Sequence, residues 1–131
     1  MSAADSDVVT KSSSVSVDDT VHRFIELLAN KSLKVFDVID QRAAARAVGL
    51  DLRETVLVIF GNPAAGTGVM DAVPLSALDL PLKVLIWADG DRGTQVSYTA
   101  PAALAARYGL TPEQEAVFEG INKLTDVLVS W

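Results

Sequence analysis

The sequence predicts an α+β fold, an antiparallel-rich sheet packed by helices, and three observations carry that prediction. Thr55 to Phe60 (TVLVIF) and Lys83 to Ala88 (KVLIWA) are continuous apolar runs of strand length in the middle of the chain. An apolar stripe at helical spacing precedes them (Val21, Phe24, Ile25, Leu28) and another follows (Val117, Ile121, Leu124, Leu128). Strands grouped centrally with helices to one side favour a layered arrangement over an alternating parallel one. With 131 residues, half of them apolar, the chain suits one compact domain, and no repeat or linker-like tract divides residues 1–131.

The first six or so residues are expected to be loose. Val8 to Val17 mixes β-branched residues with Ser and Thr, as a polar edge strand does. Ser16-Val17-Asp18-Asp19 sets a capping serine three residues before an acid, so a helix starts there, with His22, Arg23, Glu26 and Asn30 off its apolar stripe. Leu33 to Asp40 reads as a strand. Gln41 to Val48 reads as an alanine-rich helix that Gly49 closes in a left-handed position. The two apolar runs lack the alternation of half-exposed strands, so each is expected to be covered on both faces, central in its sheet or at a contact between subunits. Between them, Gly61 to Leu82 reads as irregular, with a short helix over Thr67 to Ala72.

Asp89 to Gly93 is a turn signal, and Val96 and Tyr98 alternate against Gln95, Ser97 and Thr99, which predicts a hairpin with a half-exposed second strand. Pro101 opens a short helix that Gly109 ends. Thr111-Pro112-Glu113-Gln114 combines an N-cap threonine, a proline at the first helical position and a glutamine two further on. The helix it starts is expected to run nearly to Trp131.

Composition removes several classes of function. Eleven Lys and Arg against 17 Asp and Glu give a net charge of −6, which repels a polyphosphate backbone, and no basic run interleaved with aromatics offsets it, so nucleic acid is disfavoured. The absence of cysteine excludes thiol nucleophiles, Fe–S clusters, cysteine zinc sites and disulfides. No apolar stretch nears the roughly 20 residues of a membrane-spanning helix. The opening MSAADSDVVTKSSS lacks the basic end and apolar run of a signal peptide. The chain is read as cytoplasmic, with no membrane partner.

Chemistry has few places to sit. Gly61-Asn62-Pro63-Ala64-Ala65-Gly66-Thr67-Gly68 follows a buried strand and precedes a helix, where free backbone N–H groups can hold an anion. Gly61 and Gly66 have phosphate-loop spacing, but Thr67 stands where such a loop places lysine. The competing reading is a tight strand-to-helix connection with Thr67 as cap. His22 is the only histidine, beside Asp18 and Asp19 on a helix face that reads as solvated; no metal site is expected. No G-x-S-x-G elbow occurs, which argues against a serine hydrolase.

Asp40, Asp79 and Lys83 fall at strand ends. Asp79 and Lys83 are spaced to pair across a bend and shift each other's pKa, and Asp40 is placed to cap the helix after it. Trp87, Tyr98 and Trp131 suit either a ligand pocket or a subunit interface; core packing alone accounts for Trp87, and Trp131 suits an interface.

Four segments in order, Lys34 to Asp40 (KVFDVID), Leu57 to Pro63 (LVIFGNP), Gly66-Thr67 and Ala77 to Trp87 (ALDLPLKVLIW), make the chain resemble the domain of unknown function 302 family over about Val8 to Leu110. The resemblance implies a TATA-box-binding-protein-like β-α-β(4)-α fold with short inserted helices, commonly dimeric, and no established activity. The family often has histidine after the aspartate where this chain has Gln41, and glutamine does not titrate near neutral pH. Shared fold with a DNA-binding protein transfers no function.

The reading favoured by these residues is a homodimeric domain that binds or senses a small ligand without catalysis, its pocket drawn from Asp40, Asn62, Gly66, Thr67, Asp79 and Lys83, with no cofactor assigned. One alternative is an enzyme acting on a small anionic or carbonyl compound, with Asp40 or Asp79 as base and Lys83 as electrostatic partner. Another is a protein-interaction module docking through an apolar strand face or Trp131.

Overall fold

The computed structural model describes residues 7–130. Among them a single sheet contains β1 (Val8–Ser13), β2 (Lys34–Asp40), β3 (Thr55–Gly61), β4 (Leu82–Asp89) and β5 (Gly93–Thr99) in the order β1-β5-β4-β3-β2, with every neighbouring pair antiparallel. The α+β class stands as expected. Residues 1–6 and Trp131, and the expectations attached to them, lie outside the described residues.

Because β1 and β2 are opposite edges, the helix between them, α1 (Val17–Asn30), must cross the sheet. Ser16 caps it, its Oγ accepting from the Asp19 N–H at 3.0 Å. Its stripe lays Val21, Phe24 and Leu28 on Val58, Phe60, Val84, Ile86, Val96 and Tyr98, and Ile121 and Leu128 complete this core. Phe24 and Phe60 meet edge to face with ring centroids 5.2 Å apart.

The helices α2 (Gln41–Ala47) and α3 (Pro63–Ala72) and the 3-10 helix Pro74–Asp79 are inserted between strands that are already antiparallel neighbours. Such connections turn at the sheet end and need not cross a face. The second face therefore gains no helix of α1's kind; β3 and β4 are interior strands, as expected, but within one chain their apolar runs are covered by helices on one face. Val58, Phe60, Val84 and Ile86 are at most 1% exposed, whereas Leu57, Ile59, Leu85 and Trp87 remain partly exposed.

Strand β5 departs in the other direction. Instead of being half exposed, it is buried through Gln95 and Ser97, because β1 closes that side. Trp87 Nε1 donates to Ser97 Oγ at 3.0 Å, Ser97 shares a hydrogen bond with Thr10 at 2.9 Å, and Ser12 Oγ donates to Gln95 Oε1 at 3.2 Å. Lys11 fastens edge strand β1 to the last helix, donating to Thr125 Oγ1 at 2.6 Å and pairing with Asp126 at 2.7 Å.

After β5 comes α4 (Pro101–Tyr108), ended by Gly109 at φ 63°. The final helix is two pieces, α5 (Pro112–Ala116) and α6 (Gly120–Leu128). The capping box forms as expected, but one turn later Val117, Phe118 and Glu119 donate to carbonyls three residues back. That tightening turns Phe118 inward, 4% exposed, and Val117 outward, 39% exposed. Val117 thus leaves the stripe, which resumes at Ile121, Thr125 and Leu128.

Candidate functional site

Where β3 ends and β4 begins, a cavity of about 300 Å³ opens at the sheet end. Asn62 builds its entrance. The Asn62 Oδ1 accepts from the Ala64 N–H at 3.0 Å, and its main-chain carbonyl accepts from the Ala65 and Gly66 N–H groups, each at 3.0 Å. Pro63 fills the first helical position, where no N–H is needed. Helix α3 therefore begins at Pro63 rather than Thr67, with Asn62 as cap. Thr67 lies inside the helix and donates its hydroxyl to the Pro63 carbonyl at 2.5 Å. The first amides of this segment are already engaged, so the anion cradle is not what this stretch forms.

What it forms is an apolar wall. A bulge in β2 interrupts the register between Val35 and Asp37, and Phe36 at that bulge lines the cavity together with Met70 of α3. The entry to β4 supplies Leu80, Pro81 and Leu82, and the tight turn after α5 supplies Val117 and Phe118. Gly66 keeps the α3 side open: a Cβ there would come 3.9 Å from the Met70 methyl. The polar side chains in the lining are Asn62 and Thr67, and no charged side chain contributes. An ion entering would lose its hydration with no charged side chain in the lining to meet it; the Lys34 ammonium lies 4.7 Å over the Phe36 ring and is not part of the lining. A neutral guest loses little, and the Asn62 Nδ2 remains as a donor for one acceptor on it.

Of the six residues expected at one pocket, the structure brings Asn62, Gly66 and Thr67 together and leaves the other three elsewhere. Asp40 caps α2, its Oδ1 accepting from the Ala43 N–H at 3.0 Å, and lines a different groove with Arg42, Arg46 and Glu54. In register with Val56, it stands about 13 Å along the strands from the Phe60 end. Asp79 forms no close ion pair with Lys83, but, behind the Tyr108 hydroxyl and Arg107, the lysine's charge is among the causes that lower the Asp79 pKa, as the spacing predicts. The carboxylate is paired with Arg107 of α4 at 2.8 Å and accepts from the Tyr108 hydroxyl, while Lys83 donates to the Pro81 carbonyl at 3.4 Å. The reason is reach: α4 delivers a planar guanidinium and a phenol to Asp79, whereas the lysine extends from a strand.

The Tyr108 hydroxyl, with Arg107 next, holds the Asp79 carboxyl below the usual carboxylate range, and the same hydrogen bond pushes the Tyr108 phenol up. Asp79 and Lys83 share a cavity of about 40 Å³, room for little more than a water molecule. Asp40 and Asp79 therefore do not share a cleft. His22 lies 3.6 Å from Asp18 on an exposed helix face, and among the described residues no cluster of His, Cys, Asp or Glu is arranged to hold a metal ion.

Sequence reasoning missed Phe36 and Phe118. Neither a bulge nor a mid-helix break has a strong local signature. The capping role of Asn62 was missed too, in favour of Thr67, although Asn62-Pro63 repeats the cap-and-proline pair of Thr111-Pro112 that could have shown it.

A family model described as "Domain of unknown function DUF302" matches residues 9–128, from β1 through α6. The chain belongs to the DUF302 family. An uncharacterized conserved DUF302 protein of known crystal structure from Bacillus stearothermophilus superimposes with a TM-score of 0.79 over 95% of this chain and 96% of its own, at 19% identity, a likeness of fold. Among curated proteins, "Fluoride-specific ion channel FluC 1" of Brucella suis is 38% identical over 109 residues, 83% of this DUF302 chain and 43% of that protein. "Fluoride-specific ion channel FluC 2" of Brucella melitensis matches at the same identity over 40% of its length. The chain thus spans about two fifths of the curated relatives it matches. No helix among its described residues is long and apolar enough to cross a membrane.

Proposed function

We propose that this DUF302 chain is a homodimeric, cytoplasmic binding module that senses a small, neutral, mainly apolar ligand without transforming it. The observation that carries the reading is the cavity of about 300 Å³ at the end of β3, walled by apolar side chains, free of charge and provided with one carboxamide donor. Its size matches the small end of ligand sites. Asn62 orients the guest, Gly66 leaves room for it, and Thr67 lines the α3 side. Asp40 caps α2 and Asp79 is held by Arg107 of α4, so neither carboxylate enters the pocket. The neutral guest replaces the anion that the glycine spacing first brings to mind.

The strand and helix order, with one helix after β1 and the others inserted or terminal, supports the TATA-box-binding-protein-like description, but the charge of −6 argues against carrying over DNA binding. For relatives named as fluoride channels, of which this chain covers about two fifths, the same reading makes the matched part a ligand-responsive attachment.

Thermal unfolding with indole or cyclohexanone as neutral probes, and inorganic phosphate as the charged control, tests the proposal. A bound probe at ten times its Kd adds about 1.4 kcal/mol, a shift readily seen. The neutral probes are expected to raise Tm, phosphate is not, and Gly66→Leu is expected to abolish the response while remaining folded. A response to phosphate alone, or a neutral-probe response that survives Gly66→Leu, would refute the assignment.

A further inference from the structure

We infer that the helix-free face of the sheet is the surface on which a second copy of this chain packs, with the two-fold axis running along β3. The inference gives a partner surface to the proposed homodimer and depends on that part of the reading, not on the ligand. Strand register places three rows on this face: Asp37, Ile59 and Lys83; Ile39, Leu57, Leu85, Ser97 and Thr10; and Thr55, Trp87, Gln95 and Ser12. The face divides sharply. On β2, β3 and β4 it carries Ile39, Leu57, Ile59, Leu85 and Trp87, whereas on β5 and β1 it carries hydroxyls and an amide already hydrogen-bonded to one another. The sheet is centred on β4, but its apolar block is centred on β3.

A two-fold axis along β3 explains that offset. It lays β2 of one copy over β4 of the other and leaves β5 and β1 outside the contact; on β5, Gln95 and Ser97 are already buried and hydrogen-bonded within their own chain. The same operation settles the charges. Asp37 and Lys83 are the two ionisable side chains in these rows and flank Ile59 at one level. The axis sets each Asp37 opposite the other copy's Lys83, forming two equivalent pairs, with Ile39 opposite Leu85 and Leu57 and Ile59 each meeting its own image. Sheets packed face to face lie about 10 Å apart, a gap that an aspartate and a lysine together can span. An axis perpendicular to the strands would instead put Lys83 against Trp87 and leave Asp37 without a cation. Asp37 is exposed and accepts a hydrogen bond only from the Val38 N–H, at 2.8 Å; Lys83 donates only a long hydrogen bond to the Pro81 carbonyl and forms no close ion pair, although its charge also acts on Asp79.

Sedimentation velocity on the full chain without ligand tests this. The wild type is expected to be dimeric at about 100 µM. Asp37→Lys and Lys83→Asp alone should each weaken dimerisation about tenfold, and the two together should restore it. Leu57→Glu should give a monomer with unchanged far-UV circular dichroism; if it fails to fold, the charge swap decides. A monomeric wild type, or a dimer indifferent to the single reversals, overturns the inference. Gly66→Leu, which empties the ligand proposal of its cavity, should leave the dimer intact, so the two readings fail separately.

Discussion

Helix α3 contains Gly66 and Gly68 in its interior, and the two glycines should answer differently to the same substitution. Glycine in a helix interior costs about 1 kcal/mol relative to alanine, mostly in backbone entropy. Neither residue has positive φ, a Cβ on Gly68 would meet nothing within 4 Å, and one on Gly66 would meet only the flexible Met70 methyl, at 3.9 Å. Both Gly66→Ala and Gly68→Ala should therefore stabilise by about 1 kcal/mol. With an unfolding entropy of about 2.1 cal/mol/K per residue, that gain raises Tm by about 4 °C for a chain of this length. The cavity separates the pair. At Gly66 the added methyl enters the lining, and one methylene in an apolar pocket changes affinity by about tenfold or more. Gly66→Ala should thus be more stable and bind a neutral probe about tenfold more weakly, whereas Gly68→Ala should be more stable and bind normally. Differential scanning calorimetry and isothermal titration calorimetry with indole read the two effects separately. Equal probe affinity in the two variants would refute the placement of the site, and destabilisation of both would refute the helix argument beneath it.

Asn62→Ala should cost about 1 kcal/mol by removing the α3 cap, while Thr67→Ala, which removes no cap, should cost less in the same urea titration. Because the folded Asp79 carboxyl lies below its ordinary range, its stabilisation is present above about pH 4 and lost as pH falls through the lowered value; Asp79→Asn should flatten the acid limb of urea midpoint against pH. The raised Tyr108 phenol acts in the opposite direction, its stabilisation being present below about pH 10 and lost as pH rises beyond it. Tyr108→Phe should flatten that alkaline limb. Phe24→Ala, at the centre of the core and facing the Phe60 ring, should cost about 3–5 kcal/mol by equilibrium denaturation.

Much of the fold was legible because its signals are local. The Ser16 and Thr111 caps, the Gly49 and Gly109 stops at φ 77° and 63°, and the Asp89 to Gly93 hairpin all formed where the sequence marked them. Periodicity failed where a partner from far along the chain decided the outcome. Alternation in β5 predicts a wet face, but burial there depends on β1 pairing more than 80 residues away, as the Thr10–Ser97 hydrogen bond shows. The apolar stripe from Val117 to Leu128 predicts one helix, but the inward turn of Phe118 outweighs helical continuity.

For the candidate site the limit was of another kind. Glycine spacing points to a segment that lines the cavity but predicts free amides there, whereas Asn62-Pro63 starts the helix early and uses the amides that an anion would need. Once those donors are engaged, the walls decide what can enter, and the walls come from a bulge at Phe36 and a helix break at Phe118 that meet only in three dimensions. The apolar runs present a parallel case. They announce two faces needing cover, and the chain supplies long helices to one. The cavity and the bare face both use apolar surface that the folding core leaves over, the first at the end of β3 and the second along its length. Since they share β3 but not their side chains, ligand affinity and self-association should vary independently in variants of either surface.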